Sequence, residues 1–346
     1  MLAVVKTRPA PGIEILDRPV PSLQGEDQVL IEVGACGVCG SDLHFYEWAA
    51  HTADAITLPR ILGHEVAGTV VKVGIAVKNF KPGDRVVTET WGGCGDCYYC
   101  RLGMFNHCMY QTRIGQKADG GMTDYVVVPA ISLYPIPDSM PFDEAAVIEP
   151  VGVALRGWER IRNFKPGDTV VVMGPGPIGI LGGLIAKVAG ATTVMITGLK
   201  IDKIRLALAR ELGLETIIVE EENAQEKIKS LTHGRGAEVV LDLSGGPGSL
   251  SQAINFAKLG GEISLIGISP PSETPLQLIA GKELTIHGSF RRLPSTWYRA
   301  INLVASRQID VRPLITHRFP VSRAEDAFQS LFRREAIKAL IHPEKK

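Results

Sequence analysis

Four cysteines lie within one short, glycine-rich stretch of the chain, at Cys94, Cys97, Cys100 and Cys108. The spacing C-x2-C-x2-C-x7-C is typical of a loop that folds around a tetrahedral Zn²⁺ held by four thiolates. Such a loop needs no hydrophobic core, because metal binding supplies its folding free energy. Four protein ligands leave no coordination position open, so we expect this metal to be structural.

Two other uses of these cysteines are two disulfides or an iron–sulfur cluster. The first residues, MLAVVK, show no basic region followed by an apolar run, so we expect no signal peptide, and disulfides are disfavoured. The bacterial ferredoxin run places its fourth cysteine after three residues and follows it with proline. Here seven residues intervene and Met109 follows, so the sequence predicts zinc.

Size and charge narrow the class of protein. A chain of 346 residues favours two domains. Lys+Arg and Asp+Glu are equal at 37 each, so there is no basic excess for nucleic acid or an anionic membrane surface. No apolar run reaches the length of about 20 residues that a membrane span needs. We expect a cytoplasmic protein with neither a nucleic-acid nor a membrane partner.

The hydrophobic pattern changes once along the chain and predicts an α/β fold of two parts. Up to about residue 153, short Val/Ile-rich runs bounded by Gly and Pro predict strands: Val29–Val33, Val66–Val73, Arg85–Thr88 and Tyr125–Val128. Six apolar strands then alternate with helices: Thr169–Met173, Thr193–Thr197, Thr216–Val219, Glu238–Leu243, Glu262–Ile266 and Leu284–His287. This alternation is typical of a doubly wound parallel sheet. After Phe290, helices near Trp297–Ser306 and Arg323–Phe332 precede a closing strand, Lys338–His342; periodicity does not decide where this tail packs.

A glycine-rich turn joins the first of these apolar strands to a helix. The G-x-G-x-x-G pattern lets the backbone approach a pyrophosphate at a helix N-terminus. The sequence therefore predicts a dinucleotide site that includes Ile266, at the end of the fifth strand, and the turn residues Gly174, Gly176, Pro177, Ile178 and Gly179.

The end of the second apolar strand bears on which dinucleotide binds. An NAD site usually carries an acid there, which hydrogen-bonds the ribose. Gly198 takes that position and Lys200 adds a positive charge, which favours the 2′-phosphate of NADP. The alternative is that Lys200 is a solvated loop residue and Asp202 reaches back to the ribose.

A second set of potential metal ligands lies outside the cysteine loop: Cys39, His64, Glu65 and Glu149. They offer sulfur, nitrogen and oxygen donors, which is the mixture that a catalytic zinc with one open position uses. Each also has an ordinary interpretation, as a buried thiol, a core histidine or a helix-capping acid. Spacing this wide does not by itself define a site.

Five motifs in one order resemble the zinc-containing medium-chain alcohol dehydrogenases along the whole chain. They are CGSDLH from Cys39, GHEVAG from Gly63, the cysteine loop, Glu149-Pro150 and GPGPIG from Gly174. The resemblance implies a GroES-like catalytic domain formed by residues 1–153 and 291–346 around a Rossmann domain of residues 154–290. It implies two zinc ions per chain, one catalytic and one structural, and a homodimer or homotetramer.

The resemblance also implies roles for individual residues. Cys39, His64 and Glu149 are similar to the ligands of the catalytic zinc, and Glu65 matches a position on or near the metal that exchanges with water. Ser41 matches a hydroxyl that hydrogen-bonds the substrate oxygen, and His44 a histidine in the proton path to solvent. Asp42 resembles the carboxylate that orients the ligand histidine. Apart from the resemblance, Arg291 is a candidate for binding a distal substrate hydroxyl; the alternative is an ordinary surface arginine beside Arg292.

Within the family, two branches share features with this chain. Glu149-Pro150 resembles the form seen in sorbitol and xylitol dehydrogenases and in some threonine dehydrogenases. GSFR from Gly288 and LITHRFP from Leu314 are similar to the tail of sorbitol dehydrogenase. DLHFYEW from Asp42 and TWY from Thr296 look more like threonine 3-dehydrogenase. Arg292 stands where polyol enzymes often have tyrosine. We expect an oxidoreductase that transfers a hydride between a secondary alcohol or polyol and NAD(P), with threonine-type oxidation as the alternative. A zinc-ribbon nucleic-acid binder or a zinc-free reductase would lack a use for the second ligand set.

Overall fold

The computed structural model describes residues 1–49, 52–267 and 270–344. Two units contain these residues. The first comprises Met1–Glu149, Leu293–Ala305 and Val311–Lys346, and the second Pro150–Arg292 and Ser306–Asp310.

The first unit is mainly antiparallel sheet. Its strands are β1 (Leu2–Lys6), β2 (Glu14–Asp17), β3 (Gln28–Gly37), β4 (Arg60–Ile61), β5 (Glu65–Val73), β6 (Arg85–Thr88), β7 (Trp91–Gly92), β8 (Thr112–Arg113), β9 (Tyr125–Pro129), β10 (Leu133–Pro135), β17 (Ile315–Pro320) and β18 (Lys338–His342). Its helices are α1 (Gly40–Glu47), α2 (Tyr98–Arg101), α3 (Phe142–Ala146), α10 (Pro294–Ala305) and α11 (Ala324–Phe332), and α4 (Ile148–Trp158) begins in it.

Strand β3 is the centre of this unit. It pairs with β5 and β9, and its last residues pair with β18, with Cys36 opposite Ile341. The sheet order is β10-β6-β5-β3-β18-β17. The C-terminal strand thus completes a sheet begun by the N-terminal segment, and Cys36 is fully buried within that core.

The second unit is a six-stranded parallel sheet in the order β13-β12-β11-β14-β15-β16. Its strands are β11 (Thr169–Met173), β12 (Thr193–Gly198), β13 (Glu215–Ile218), β14 (Ala237–Asp242), β15 (Ala257–Leu265) and β16 (Thr285–Gly288). Its helices are α5 (Pro177–Val188), α6 (Lys203–Glu211), α7 (Ala224–Leu231), α8 (Ser249–Phe256) and α9 (Leu276–Gly281). The strand order reverses direction at β11 and β14, and open α/β sheets bind ligands at the carboxyl edge of such a point.

The predicted strands of both parts are confirmed to within a few residues at each end, except that β15 begins at Ala257, before the predicted Glu262. The two helices predicted after Phe290 are confirmed as α10 and α11. Continuous apolar runs such as Val170–Met173 form strands that are buried on both faces, because helices cover the sheet. Helix α1 was not predicted, since its sequence lacks an apolar stripe. Among the described residues, no helix combines the length and apolar character needed to span a bilayer.

A charged network ties helix α3 to the C-terminal strands. Asp143 Oδ1 lies 2.8 Å from His342 Nε2, and Asp143 Oδ2 accepts a hydrogen bond from Arg318 Nε. His342, together with Arg318, holds the pKa of Asp143 below its usual value of 3.8. This carboxylate therefore stabilises the attachment of β17 and β18 while it is ionised.

We expect Asp143→Asn to lower the free energy of unfolding by about 1 kcal/mol near pH 7, since the pair is partly exposed. Because the folded-state pKa is depressed, wild type holds this advantage above pH 3.8 and loses it as the pH falls through the lower folded value. Urea denaturation at several pH values measures the difference. Asp326→Asn, in the exposed pair with Arg323, is the control and should change little. An advantage that grows as the pH falls below 3.8 would contradict the assignment.

Candidate active site

Cys39 is held at the start of helix α1 by its own neighbour. Its backbone is extended, and its N–H donates to Asp42 Oδ2 at 2.9 Å, while Asp42 N–H donates to the Cys39 carbonyl at 3.1 Å. This reciprocal cap satisfies two helix-end groups at once. It also fixes the position from which the Cys39 thiol projects.

Residues His64 and Glu65 stand at the entry to β5, after Gly63, whose φ of 93° favours glycine. Cys39, His64 and Glu65 each place one donor atom within 4.8 Å of the others. Gly37 lies opposite Glu65 in the sheet, and a Cβ at Gly37 would approach Glu65 Oε2 to 1.9 Å. The sheet therefore needs glycine at position 37 to admit the carboxylate.

The imidazole of His64 faces a buried carboxylate. Asp42 Oδ1 lies 3.8 Å from His64 Nδ1, and among the described residues neither atom has a hydrogen-bond partner. Burial acts to lower the pKa of His64, but the charges of Asp42, Cys39 and Glu149 outweigh it and raise that pKa to about 10. Burial has the opposite effect on the carboxyl group of Asp42, whose pKa it raises. Such a concentration of negative charge calls for a cation, and the S, N and O donors suit zinc.

One organic cation already reaches this cluster. Lys338 Nζ, from the first residue of β18, lies 2.8 Å from both carboxylate oxygens of Glu65 and 3.1 Å from the Val38 carbonyl oxygen. Both side chains are almost fully buried, at 4% and 1% exposure. Burial acts to lower the pKa of Lys338, but Glu65 and Cys39 raise it overall, so the ammonium stays charged.

Glu149 lies nearby but outside the group of three. It is the second residue of helix α4, it is buried, and Thr90 Oγ1 donates to its Oε1 at 3.2 Å. Its charge contributes to the raised pKa values of His64 and Glu65. Ser41 and His44 follow Cys39 on helix α1, three residues apart and so on neighbouring positions of one face, with His44 exposed.

The four cysteines of the loop converge as their spacing predicted. Their sulfur atoms lie within 4.8 Å of one another, and none forms a disulfide. Backbone N–H groups point at these sulfurs: Cys94 N lies 3.2 Å and Tyr110 N 3.3 Å from Cys108 Sγ. Backbone hydrogen bonds from Met109 and Cys100 lower the pKa of Cys97 to about 6. Four clustered sulfurs with amide donors fit a tetrahedral zinc.

In the second unit, the glycine-rich turn has the geometry of a dinucleotide site. Gly174 has φ of 93°, and a Cβ there would lie 2.8 Å from the Ser244 Cα after β14. A Cβ at Gly179 would lie 1.8 Å from the Gly174 carbonyl oxygen. Pro177 and Ile178 begin helix α5, whose N-terminus follows Gly176. This close packing leaves backbone N–H groups at the edge where a pyrophosphate binds.

The end of β12 holds the other predicted coenzyme residues. A Cβ at Gly198 would lie 2.7 Å from Pro175 Cγ, so a side chain there would press on the glycine-rich turn. Lys200 Nζ lies 3.6 Å from Glu221 Oε1. Asp202 does reach back, but to the backbone N–H of Leu199 at 3.2 Å, and it also pairs with Arg205 at 3.5 Å.

Two further predicted residues lie elsewhere in the second unit. Ile266 follows β15, and its N–H donates to the Asp242 carbonyl at 3.0 Å. Arg291 has a left-handed backbone with φ of 59°, and its guanidinium lies 4.3 Å from the centre of the Phe290 ring. The next residue, Arg292, is the more buried of the two arginines.

Two family models match the chain: "Alcohol dehydrogenase GroES-like domain" over residues 25–138 and "Zinc-binding dehydrogenase" over residues 177–306. Sorbitol dehydrogenase of Bacillus subtilis is 36% identical over 96% of this chain and 94% of its own length. L-threonine 3-dehydrogenase of Pyrococcus horikoshii is 36% identical over 95% of this chain and 94% of its own length.

The chain belongs to the zinc-containing medium-chain alcohol dehydrogenases. A crystal structure of a zinc-binding dehydrogenase from Sinorhizobium meliloti 1021 bound to NADP matches with a TM-score of 0.90, at 31% identity over 99% of both chains. The protein is therefore an oxidoreductase of the type that acts on CH–OH groups. Its family binds zinc and a nicotinamide cofactor, and its two parts are a GroES-like domain and a Rossmann domain.

Sequence reasoning missed several residues that support this site. The sequence could have pointed to Lys338, because it is the one lysine in the apolar strand β18 and a buried ammonium needs a buried partner. No sequence pattern points to Thr90, because a lone threonine after a strand is ordinary. Trp297 Nε1 donates to Glu89 Oε2 at 2.6 Å, which ties helix α10 to the segment that carries Thr90.

Replacing Lys338 by methionine should destabilise the fold by about 3 kcal/mol, because it leaves the Glu65 carboxylate buried without its partner. The double variant Glu65→Gln/Lys338→Met should recover part of that loss, since no buried charge then remains. Urea denaturation of metal-free protein measures both. Lys81→Met, in the exposed pair with Asp84, is the matched control and should change stability little. Equal stability of the Lys338 and Lys81 variants would refute the buried pair.

Proposed function

We propose that this protein oxidises a secondary alcohol or polyol with NAD(P), using a catalytic zinc held by Cys39, His64 and Glu149 with Glu65 on or near the metal, and a structural zinc held by Cys94, Cys97, Cys100 and Cys108. The observation that carries the proposal is the convergence of sulfur, nitrogen and oxygen donors from separate parts of the chain within 4.8 Å. Its membership of a zinc-binding dehydrogenase family supports the same assignment.

The donor set fits a reactive rather than a saturated metal. When bound, zinc supplies a Lewis acid that stabilises negative charge on an alcohol oxygen, and the nicotinamide ring takes up a hydride. Lys338 Nζ binds both oxygens of Glu65 and so competes with a metal for this carboxylate. In the proposal, Glu65 is therefore the donor that exchanges with water. Asp42 keeps the His64 ring oriented, and Thr90 keeps Glu149 oriented.

Proton release falls to helix α1. In the proposal the Ser41 hydroxyl hydrogen-bonds the substrate oxygen and passes its proton towards His44, one turn further along the same face. Exposure of the His44 side chain lets it exchange that proton with solvent. Both side chains of this proposed proton path lie on helix α1.

For the coenzyme, we propose NADP with a slight preference over NAD. Gly198 offers no carboxylate to the adenosine ribose, and Lys200 is a cation in the adjoining loop. The close contact between position 198 and Pro175 supports the glycine as a fixed feature of this site, because a larger residue would displace the turn. The proposal also includes a homodimer or homotetramer in the cytoplasm, which light scattering and fractionation test.

The substrate proposal has two branches. Polyols are favoured by the GSFR and LITHRFP stretches; in the proposal, Arg291 of the first stretch grips a distal hydroxyl. L-threonine is the second candidate because a threonine 3-dehydrogenase and a sorbitol dehydrogenase are equally identical to this chain, at 36%.

Zinc content should separate the two proposed metal sites. We expect wild type to hold two zinc ions per chain, and Cys39→Ser to hold only the structural one and to lose turnover by about three orders of magnitude. Cys97→Ser should keep the catalytic ion in whatever folds and lose thermal stability, because a structural site contributes folding free energy. Elemental analysis and calorimetry measure this, with Cys36→Ala as a control that keeps both ions. Two ions per chain in the Cys39 or Cys97 variant would refute that site.

A substrate screen should identify the reaction. We expect NAD(P)H formation, followed by absorbance, with xylitol or sorbitol, and a higher kcat/KM with NADP⁺ than with NAD⁺. Arg291→Gln should raise KM for the polyol by about ten-fold and change kcat less, because it removes a binding contact. Turnover of L-threonine alone would replace the polyol branch, and a strong NAD⁺ preference would overturn the interpretation of Gly198 and Lys200.

A further inference from the structure

The loops after β12 and β13 lie side by side at the carboxyl edge of the Rossmann sheet. The two strands are parallel neighbours with Gly198 in register with Ile218, and the N–H of Val219 donates to the Gly198 carbonyl at 3.1 Å. The contact of position 198 with Pro175 places the first of these loops against the glycine-rich turn. Residues that follow Ile218 therefore belong to the surroundings of the adenosine ribose.

Two acids from the second loop engage Lys200. Glu220 accepts a hydrogen bond from the backbone N–H of Lys200, which anchors the loop. Glu221 Oε1 lies 3.6 Å from Lys200 Nζ, with side-chain exposures of 52% and 58% respectively. A turn fixes these acids, since the N–H groups of Glu221 and Glu222 both donate to the Ile218 carbonyl, at 2.9 and 3.1 Å. The charge that would attract a 2′-phosphate is thus already paired within the protein.

We propose that Glu221 is a determinant of coenzyme specificity that opposes Lys200. This inference rests on the proposed coenzyme site. A 2′-phosphate must displace the Glu221 carboxylate to reach Lys200 and then lies beside a like charge, whereas a 2′-hydroxyl meets neither penalty. Glu221 therefore weakens the binding of NADP and so narrows the preference for NADP over NAD, while it leaves the binding of NAD nearly unchanged.

The test is a double-mutant cycle on the full-length protein, read by direct binding of NADH and NADPH through their fluorescence. Glu221→Gln should lower the Kd for NADPH by about three- to ten-fold, the range for an exposed ion pair together with a nearby like charge. The Kd for NADH should change less than about two-fold, because it carries no 2′-phosphate. The NADPH effect should shrink at high ionic strength.

Lys200→Met supplies the second edge of the cycle. It should weaken the binding of NADPH. In the Lys200→Met background, Glu221→Gln should raise the affinity for NADPH much less, since the ammonium that Glu221 neutralises is then absent. Glu222→Gln is the matched control. Glu222 follows Glu221 in the chain but pairs with Lys227 at 3.5 Å, so this variant should leave the Kd for NADPH and the Kd for NADH unchanged.

The outcomes separate this inference from the proposed function. An unchanged NADPH/NADH ratio in Glu221→Gln, with weaker NADPH in Lys200→Met, overturns the role of Glu221 alone. An unchanged ratio in both variants overturns the proposed role of Lys200 as well. Failure of the wild type to bind either nucleotide overturns the coenzyme site itself.

Discussion

The chemistry of the first unit depends on a buried concentration of negative charge and on what balances it. Burial acts to lower the pKa of His64, but the charges of Asp42, Cys39 and Glu149 outweigh this effect and raise the pKa to about 10. Burying carboxylates this way is costly unless cations accompany them. One balancing charge is Lys338, which the closing strand brings to Glu65, and the donor set indicates a divalent metal as the other. The sheet pairing of β18 with β3 is therefore part of the proposed active site.

The two candidate metal sites differ in how they form. In the cysteine loop, all four candidate ligands come from one short segment, and backbone N–H groups of the same segment donate hydrogen bonds to a sulfur. The loop therefore supplies its metal site without residues from other parts of the fold. In the other site, Cys39 follows a strand, His64 and Glu65 open another, and Glu149 lies early in a helix. Only the folded sheet brings these groups together. In a site assembled this way, each donor is positioned by its own neighbour, as Glu65 is by Lys338. Such a donor set suits a metal that keeps one exchangeable coordination position.

The Rossmann unit illustrates how backbone packing and charge act at one edge. Gly174, Gly179 and Gly198 are small because neighbouring backbone or proline atoms occupy the space of a side chain. The glycine at position 198 is thus a packing requirement as well as a missing carboxylate. Two acids from the loop after the neighbouring strand, Glu220 and Glu221, instead contact Lys200. In the proposal, coenzyme choice is a balance between groups from these two loops.

Sequence alone determined the features that depend on local pattern. Cysteine spacing predicted the four-sulfur cluster, apolar runs predicted the parallel strands, and the glycine-rich turn predicted the start of helix α5, because each is a property of neighbouring residues. Ordered motifs identified the family and with it Cys39, His64 and Glu65. Tertiary structure decided the rest: that Lys338 binds Glu65, that Thr90 binds Glu149 outside the group of three, and that Glu221 pairs with Lys200. These contacts join residues that no periodicity links, since strand pairing and loop register alone bring them within bonding distance.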